Sequence, residues 1–263
     1  MIRPGSGLGP GAYSDGVARL VRALAAAPLL LVLVGCAAGG NGRPQASSVR
    51  QTSPAVTAPP QARVTSPART ASAQASGRTT SLFFGDSYIV GGGYTGPKNS
   101  MGAIAARRLG WKYRIRGGGG TGFVSGNPDY GIPAFLGQIR NGALDVGPVD
   151  WLVIEGGGND KNDDPGLVTR RAVRTLKAAA KWHPEARLVL VGTMDPTVDS
   201  FTDTDGVIGA LGAAARRLGI PYINAQRWLE GRPALVGPDY DHPTPAGHRV
   251  CGRKLAKALR ALG

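Results

Sequence analysis

Three side chains able to share nucleophile and base chemistry stand at short, separated motifs: Ser87 in Gly85-Asp86-Ser87, and Asp239 and His242 in Asp239-Tyr240-Asp241-His242. A serine hydroxyl is a poor nucleophile until a base takes its proton during attack. His242 is the candidate base, because the chain has three histidines and the other two read structurally. His183 precedes Pro184 at the end of a helical pattern, where an imidazole meets the helix dipole favourably. His248 falls within the first turns of the last helical pattern. Asp239 lies three residues before His242, so a turn brings its carboxylate to the imidazole, fixing the tautomer and stabilising the imidazolium. Asp241 is the rival, but an adjacent side chain points away.

Such chemistry also needs donors for a developing oxyanion. Asn159, in Gly156-Gly157-Gly158-Asn159-Asp160, follows an apolar run and offers an amide N–H, while the glycines let backbone approach closely. Backbone N–H groups of Gly117-Gly118-Gly119-Gly120-Thr121-Gly122 are further donors. Each piece has a plainer reading. An isolated Gly-Asp-Ser is more often a helix cap or turn, and an Asn after glycines is often a left-handed turn residue. Gly117, Gly119 and Gly122 also match the dinucleotide pattern GxGxxG, but residues 123–128 do not open a helix that would receive a pyrophosphate, and no P-loop lysine follows.

The elements that must hold these residues are apolar strands alternating with helical patterns. Strands are expected at 81–86, 111–116, 150–155, 187–192 and 221–224. Helices are expected at about 99–109, 165–182, 205–218 and 245–261, the second with Asp164 as cap and Pro165 in its first turn. Alternation of this kind gives a parallel sheet covered on both faces. Ser87 and Asn159 then sit just past the carboxyl ends of their strands, where ligands bind in open α/β sheets. Residues 123–149 read as loop with one short helix.

Upstream the texture is different. Arg19 and Arg22 precede a short apolar run, Ala23–Gly35, too short to span a bilayer, followed by small residues, which is the layout of an export signal. Leu33-Val34-Gly35-Cys36 resembles a bacterial lipobox, which implies lipidation of Cys36 and anchoring to a membrane. Residues 37–80 hold no acid and no aromatic and read as a disordered tether. The domain plan is therefore signal 1–36, tether 37–80 and catalytic domain 81–263. The formal charge is +14, from 31 basic and 17 acidic side chains. Residues 1–80 carry eight of the bases and one acid, so a basic tail accounts for much of the excess. No Lys/Arg run with interleaved aromatics marks a nucleic-acid binder. Two cysteines, Cys36 and Cys251, provide neither a disulfide framework nor metal-ligand spacing.

In order along the chain, Gly85-Asp86-Ser87, Gly157-Gly158-Asn159-Asp160 and Asp239 to His242 resemble the serine, Gly-x-Asn-Asp and Asp-x-x-His blocks of the SGNH (GDSL-type) hydrolase family. Its glycine block falls on Gly120-Thr121-Gly122, with the register among four glycines left open. Tyr88 stands where the name-giving pattern has leucine. The resemblance covers 81–263 and implies a three-layer α/β/α sandwich with a central, mostly parallel sheet of about five strands. It implies ester hydrolysis through an acyl-enzyme on Ser87, with His242 as base, Asp239 orienting it, and Ser87, Gly120 and Asn159 as the oxyanion hole. It also implies a pocket built from variable loops, here 88–98, 123–149 and 194–206, whose aromatics (Tyr94, Phe123, Tyr130, Phe135 and Phe201) are too scattered to specify an acyl groove. No metal or organic cofactor is implied. The partners expected are an acyl-ester substrate (small molecule, lipid or O-acetylated glycan) and, through Cys36, a membrane. The expected state is an exported monomer, a lipoprotein on the outer face of the cytoplasmic membrane or a secreted protein. An envelope acyltransferase and a non-catalytic binding lipoprotein are the alternatives. The ordinary α/β-hydrolase elbow, Gly-x-Ser-x-Gly, is absent because Ile89 occupies its second glycine position.

Overall fold

The computed structural model describes residues 77–196 and 202–263, the side chains of 202 and 203 excepted. The export signal, Cys36 and the tether up to residue 76 lie outside the described residues.

Five strands, β1 (Thr80–Gly85), β2 (Lys112–Gly117), β3 (Trp151–Gly156), β4 (Arg187–Gly192) and β5 (Tyr222–Ile223), form one sheet in the order β2-β1-β3-β4-β5. Every pairing is parallel. β1 starts one residue earlier than expected, so Thr80, assigned to the tether by sequence, belongs to the sheet. Six helices, α1 (Ser87–Val90), α2 (Met101–Leu109), α3 (Phe135–Arg140), α4 (Pro165–Trp182), α5 (Thr202–Leu218) and α6 (Pro245–Leu262), complete the described fold.

Strand alternation divides the core into two layers. Leu82, Phe84, Leu152, Ile154 and Leu190 face the α3, α4 and α5 side, while Phe83, Val153, Val189 and Val191 face α1, α2 and α6. Phe135 of α3 packs edge-on against both Phe84 and Phe123, at ring-centroid distances of 5.0 and 5.1 Å. A fully buried phenylalanine contributes about 1.5–3 kcal/mol through burial. Phe123 and Phe135, assigned by sequence to pocket loops, are thus core residues. The expectation of a sheet covered on both faces holds except at β2. On this edge strand Tyr113 and Ile115 pack on the α2/α6 layer, while Lys112, Arg114 and Arg116 are exposed.

Local chemistry fixes the helix starts. The Asp164 carboxylate accepts from Leu167 N–H at 2.7 Å, and Thr244 Oγ1 accepts from Gly247 N–H at 3.2 Å; Pro165 and Pro245 follow these caps. Sheet order reverses at β1, whose neighbours are β2 on one side and β3 on the other. The crevice at the carboxyl ends of β1 and β3 is therefore the topological switch point, where open α/β sheets bind ligands.

Candidate active site

Ser87 emerges from β1 at the first position of α1 and is 8 % exposed. The Asp86 carboxylate caps that helix, accepting from Tyr88 N–H at 3.0 Å. Among the described residues the Ser87 N–H has no acceptor, as expected at the first turn of a helix. β3 ends in a 3₁₀ turn, Gly158–Asp160, which carries Asn159. One hydrogen of the Asn159 amide donates to Thr121 O at 2.9 Å, and an amide has a second to give. Asp160 is fully buried and accepts from the N–H groups of Phe123, Val124 and Ser125 at 2.7, 3.1 and 2.9 Å. Those bonds fasten the loop after β2 to the turn after β3. Burial still raises the Asp160 pKa, against the pull of these donors.

The glycines after β2 approach Ser87 closely. A Cβ on Gly119 would lie 3.8 Å from Ser87 Cβ, whereas one on Gly120 would run into Asn127. The N–H groups of Gly119 and Gly120 have no acceptor among the described residues. Gly119 is thus available as a donor next to the serine, and Gly120 follows it in the same run.

The histidine arrives on a loop closed at its base by the Gly237 N–H to His242 O bond, 2.8 Å, and by a bridge between Val236 and Pro243. His242 Nδ1 lies 2.9 Å from Asp239 Oδ2, and Asp239 Oδ1 accepts from the His242 and Asp241 N–H groups at 3.1 and 3.2 Å. Burial pushes the Asp239 carboxyl up, but these donors, the imidazole and the nearby Tyr94 hydroxyl outweigh it and hold the pKa at about 2. An ionised carboxylate only accepts, so Nδ1 carries the hydrogen and Nε2 keeps a free lone pair. Asp241 Oδ2 is 3.7 Å from Nδ1, beyond hydrogen-bond range. Of the two carboxylates weighed by sequence, the structure brings Asp239 to the imidazole.

Two links join this loop to the serine. Tyr88 O–H donates to Asp241 O at 3.0 Å, and its ring meets the His242 ring edge-on, centroids 6.0 Å apart. Gly92 and Gly93 supply the second link. A Cβ on Gly92 would sit 2.8 Å from Ser87 Cβ, and one on Gly93 3.2 Å from His242 Cβ. Only side-chain-free backbone fits against both residues at once. No hydrogen bond joins Ser87 Oγ to His242, and a serine–base bond of this kind commonly tightens only as substrate binds.

Ser87, Asn159 and Asp239 line one cavity of about 440 Å³. Its remaining wall is mostly polar and includes Lys161, Asn162, Thr204 and Tyr240. Of the loops expected to build it, 194–206 contributes Met194, Asp195, Pro196 and Thr204, 88–98 contributes Tyr88, and 123–149 contributes none among the described residues. Sequence reasoning missed Lys161 and Asn162, whose only signal was their place just past Asn159. It also missed Glu155, buried at the end of β3 beneath the site. Neither Glu155 oxygen has a hydrogen-bond partner among the described residues. Burial, and then the adjacent Asp86 carboxyl, push the Glu155 pKa well above the carboxylate range. Burial raises Asp86 itself to about 7.

His183 and His248 stay out of the site. His183 Nε2 is 2.9 Å from Leu144 O, and His248 is fully buried, its pKa lowered to about 4 by burial, so it packs as neutral imidazole.

The GDSL-like lipase/acylhydrolase family model matches residues 83–250. A GDSL lipase of Mycobacterium tuberculosis is 31 % identical over 144 residues, 52 % of this chain and 62 % of the relative, so the chain spans about three fifths of that relative's length. A carbohydrate esterase family 2 enzyme from Corynascus thermopiles, solved with its carbohydrate-binding domain, superposes with a TM-score of 0.57 at 25 % identity. That match covers 70 % of this chain and 66 % of the other. A carbohydrate acetylesterase from Sinorhizobium meliloti superposes with a TM-score of 0.59 at 15 % identity, covering 71 % of this chain and all of the other, and bears on the fold alone.

Proposed function

The chain belongs to the GDSL-like lipase/acylhydrolase family, and from that premise we propose that it is a serine ester hydrolase working through an acyl-enzyme on Ser87. Ser87 Oγ attacks the ester carbonyl while His242 Nε2 takes its proton. The tetrahedral intermediate collapses as His242 returns that proton to the leaving alcohol. Water, deprotonated by the same nitrogen, then releases the acid. Asp239 holds Nδ1–H and stabilises the imidazolium. The oxyanion is met by the Ser87 N–H, the second Asn159 amide hydrogen, and an N–H from the glycine run, Gly120 in the family's register with Gly119 beside it. Preorganised donors of this kind cost no reorganisation during reaction.

The observation that carries the reading is the Asp239–His242 contact of 2.9 Å on a loop tied to the serine's own helix. For the substrate, the polar wall around Ser87 supports a short acyl group on a hydrophilic alcohol, such as an O-acetylated sugar, in preference to a long-chain lipid. The carbohydrate esterase at 25 % identity supports the same choice. Export and a lipid anchor at Cys36 belong to the proposal on the sequence of residues 19–36 alone, and a monomeric state belongs to it as well.

Hydrolysis of nitrophenyl esters from acetyl to long acyl chains, wild type beside Ser87→Ala, tests the proposal. Highest rates on acetyl and loss of activity in Ser87→Ala are expected. A preference for long chains would overturn the substrate class. Faster product formation on an added sugar alcohol than hydrolysis would make the protein a transferase, and no turnover on any ester would leave a binding protein.

A further inference from the structure

On the α2/α6 side of the sheet lies a second groove, of about 470 Å³, lined by four arginines: Arg107 and Arg108 from α2, and Arg249 and Arg253 from α6. Tyr94 and Asn99 complete its polar wall. Neither helix carries an acidic residue, and neither does the edge strand β2 beside them. Among the described residues, the carboxylate partners of arginine are Asp164 and Glu230, and they serve Arg170 and Arg227. Among the described residues, the four groove arginines have no carboxylate within ion-pair distance. All four are exposed, so solvent and salt screen their mutual repulsion, yet the gathered charge still attracts a counter-anion. A multivalent anion relieves that repulsion.

Placement argues further that this is a built arrangement. Arg107 is held: its Nη1 donates to Lys98 O at 2.6 Å and to the Tyr113 hydroxyl at 3.1 Å, so its remaining N–H groups are already oriented. Arg249 and Arg253 are four residues apart, on one face of α6 and beyond its first turn. The last turn of α2 favours the cations Arg107 and Arg108, whereas α6 gives its pair no such support.

We propose that this groove is a binding site for a phosphate group. Planar guanidinium forks match phosphate oxygens two at a time, and several such forks suit a group with more than one charged oxygen better than a single carboxylate. The phosphate belongs either to a free phosphate or to a lipid headgroup. The segment Gly91–Gly96 joins this groove to the catalytic loop, because Tyr94 lines the groove while Gly92 and Gly93 rest on Ser87 and His242. The proposal stands apart from ester hydrolysis and is read by binding alone.

The test uses the full chain. Inorganic phosphate is titrated by calorimetry, and co-sedimentation is measured with phosphatidylglycerol and with phosphatidylcholine vesicles. Arg249→Gln/Arg253→Gln is compared with Arg171→Gln/Arg174→Gln, which removes the same charge from exposed positions on α4. The α6 pair is expected to weaken phosphate or phosphatidylglycerol binding roughly tenfold or more, with the unfolding midpoint unchanged and the α4 pair binding like wild type. Binding of phosphate without vesicles assigns the site to soluble phosphate, and a groove-dependent preference for phosphatidylglycerol assigns it to a headgroup. Absence of binding to both probes, or equal losses in the two double variants, would overturn the proposal.

Discussion

The Tyr88 hydroxyl and the Asp241 carbonyl oxygen are 3.0 Å apart, which ties the first turn of the serine-bearing helix to the loop that carries His242. The Tyr88 N–H meanwhile binds the Asp86 cap, so one residue is fixed at both ends. Tyr88 is thereby a strut between nucleophile and base.

Tyr88→Phe keeps the ring against His242 and removes the strut. A misplacement of about 1 Å costs as much as 10²-fold in rate. We expect kcat to fall about 5- to 30-fold with KM within about twofold, measured by steady-state kinetics on the preferred nitrophenyl ester. An unchanged kcat would show that the Gly92-Gly93 contact suffices to hold the loop.

Asn159→Ala should lower kcat about 10²–10³-fold and leave KM nearly unaltered, because the lost donor acts on charge that exists only in the transition state. The variant also loses the bond to Thr121 O, so circular dichroism and the unfolding midpoint must accompany the kinetics. A folded, fully active Asn159→Ala protein would remove Asn159 from the oxyanion hole.

The two carboxylates beside His242 should separate sharply. Asp239→Asn reverses the tautomer preference of the imidazole and should cost about 10²–10⁴ in kcat, while Asp241→Asn should stay within about threefold of wild type. Comparable losses would mean that Asp241 takes over as the orienting group during turnover.

The serine's strand and its neighbours were legible because period and punctuation agree. Apolar runs end in Gly-Asp-Ser and Gly-Gly-Asn-Asp, and a parallel sheet brings those ends together. Asp164, Pro165 and Pro245 likewise announced the starts of α4 and α6. What stayed hidden depends on contacts across the sheet. Glu155 reads as the polar end of a strand, and its burial comes from Gly85, whose missing side chain leaves room for it, since a Cβ there would stand 3.1 Å from Glu155 Oε2. Phe135 reads as a loop residue because its partner Phe84 lies about fifty positions upstream, and Phe123 because it packs through Phe135. Tyr88 showed only as a departure from a family leucine, since its partner is 153 residues away.

The buried Asp86–Glu155 pair makes stability depend on pH with a definite sign. Both carboxyls have raised pKa values in the folded chain, whereas unfolded carboxyls ionise near about 4. The pair's contribution is complete below that value and is lost as pH rises through about 7, where Asp86 ionises. The unfolding midpoint should therefore fall between pH 5 and pH 8. Glu155→Gln removes one of the two titrating carboxyls, so its midpoint should fall less over the same interval. Parallel slopes in thermal melts of the two proteins would contradict this.

The central claim, that Ser87 is the nucleophile activated by His242, is tested most directly by labelling with a fluorophosphonate and locating the adduct by peptide mass spectrometry. The account predicts one adduct, on Ser87, absent from Ser87→Ala and formed at least about 10²-fold more slowly in His242→Ala. An adduct on another serine, or labelling of Ser87 at an unchanged rate without His242, would contradict it.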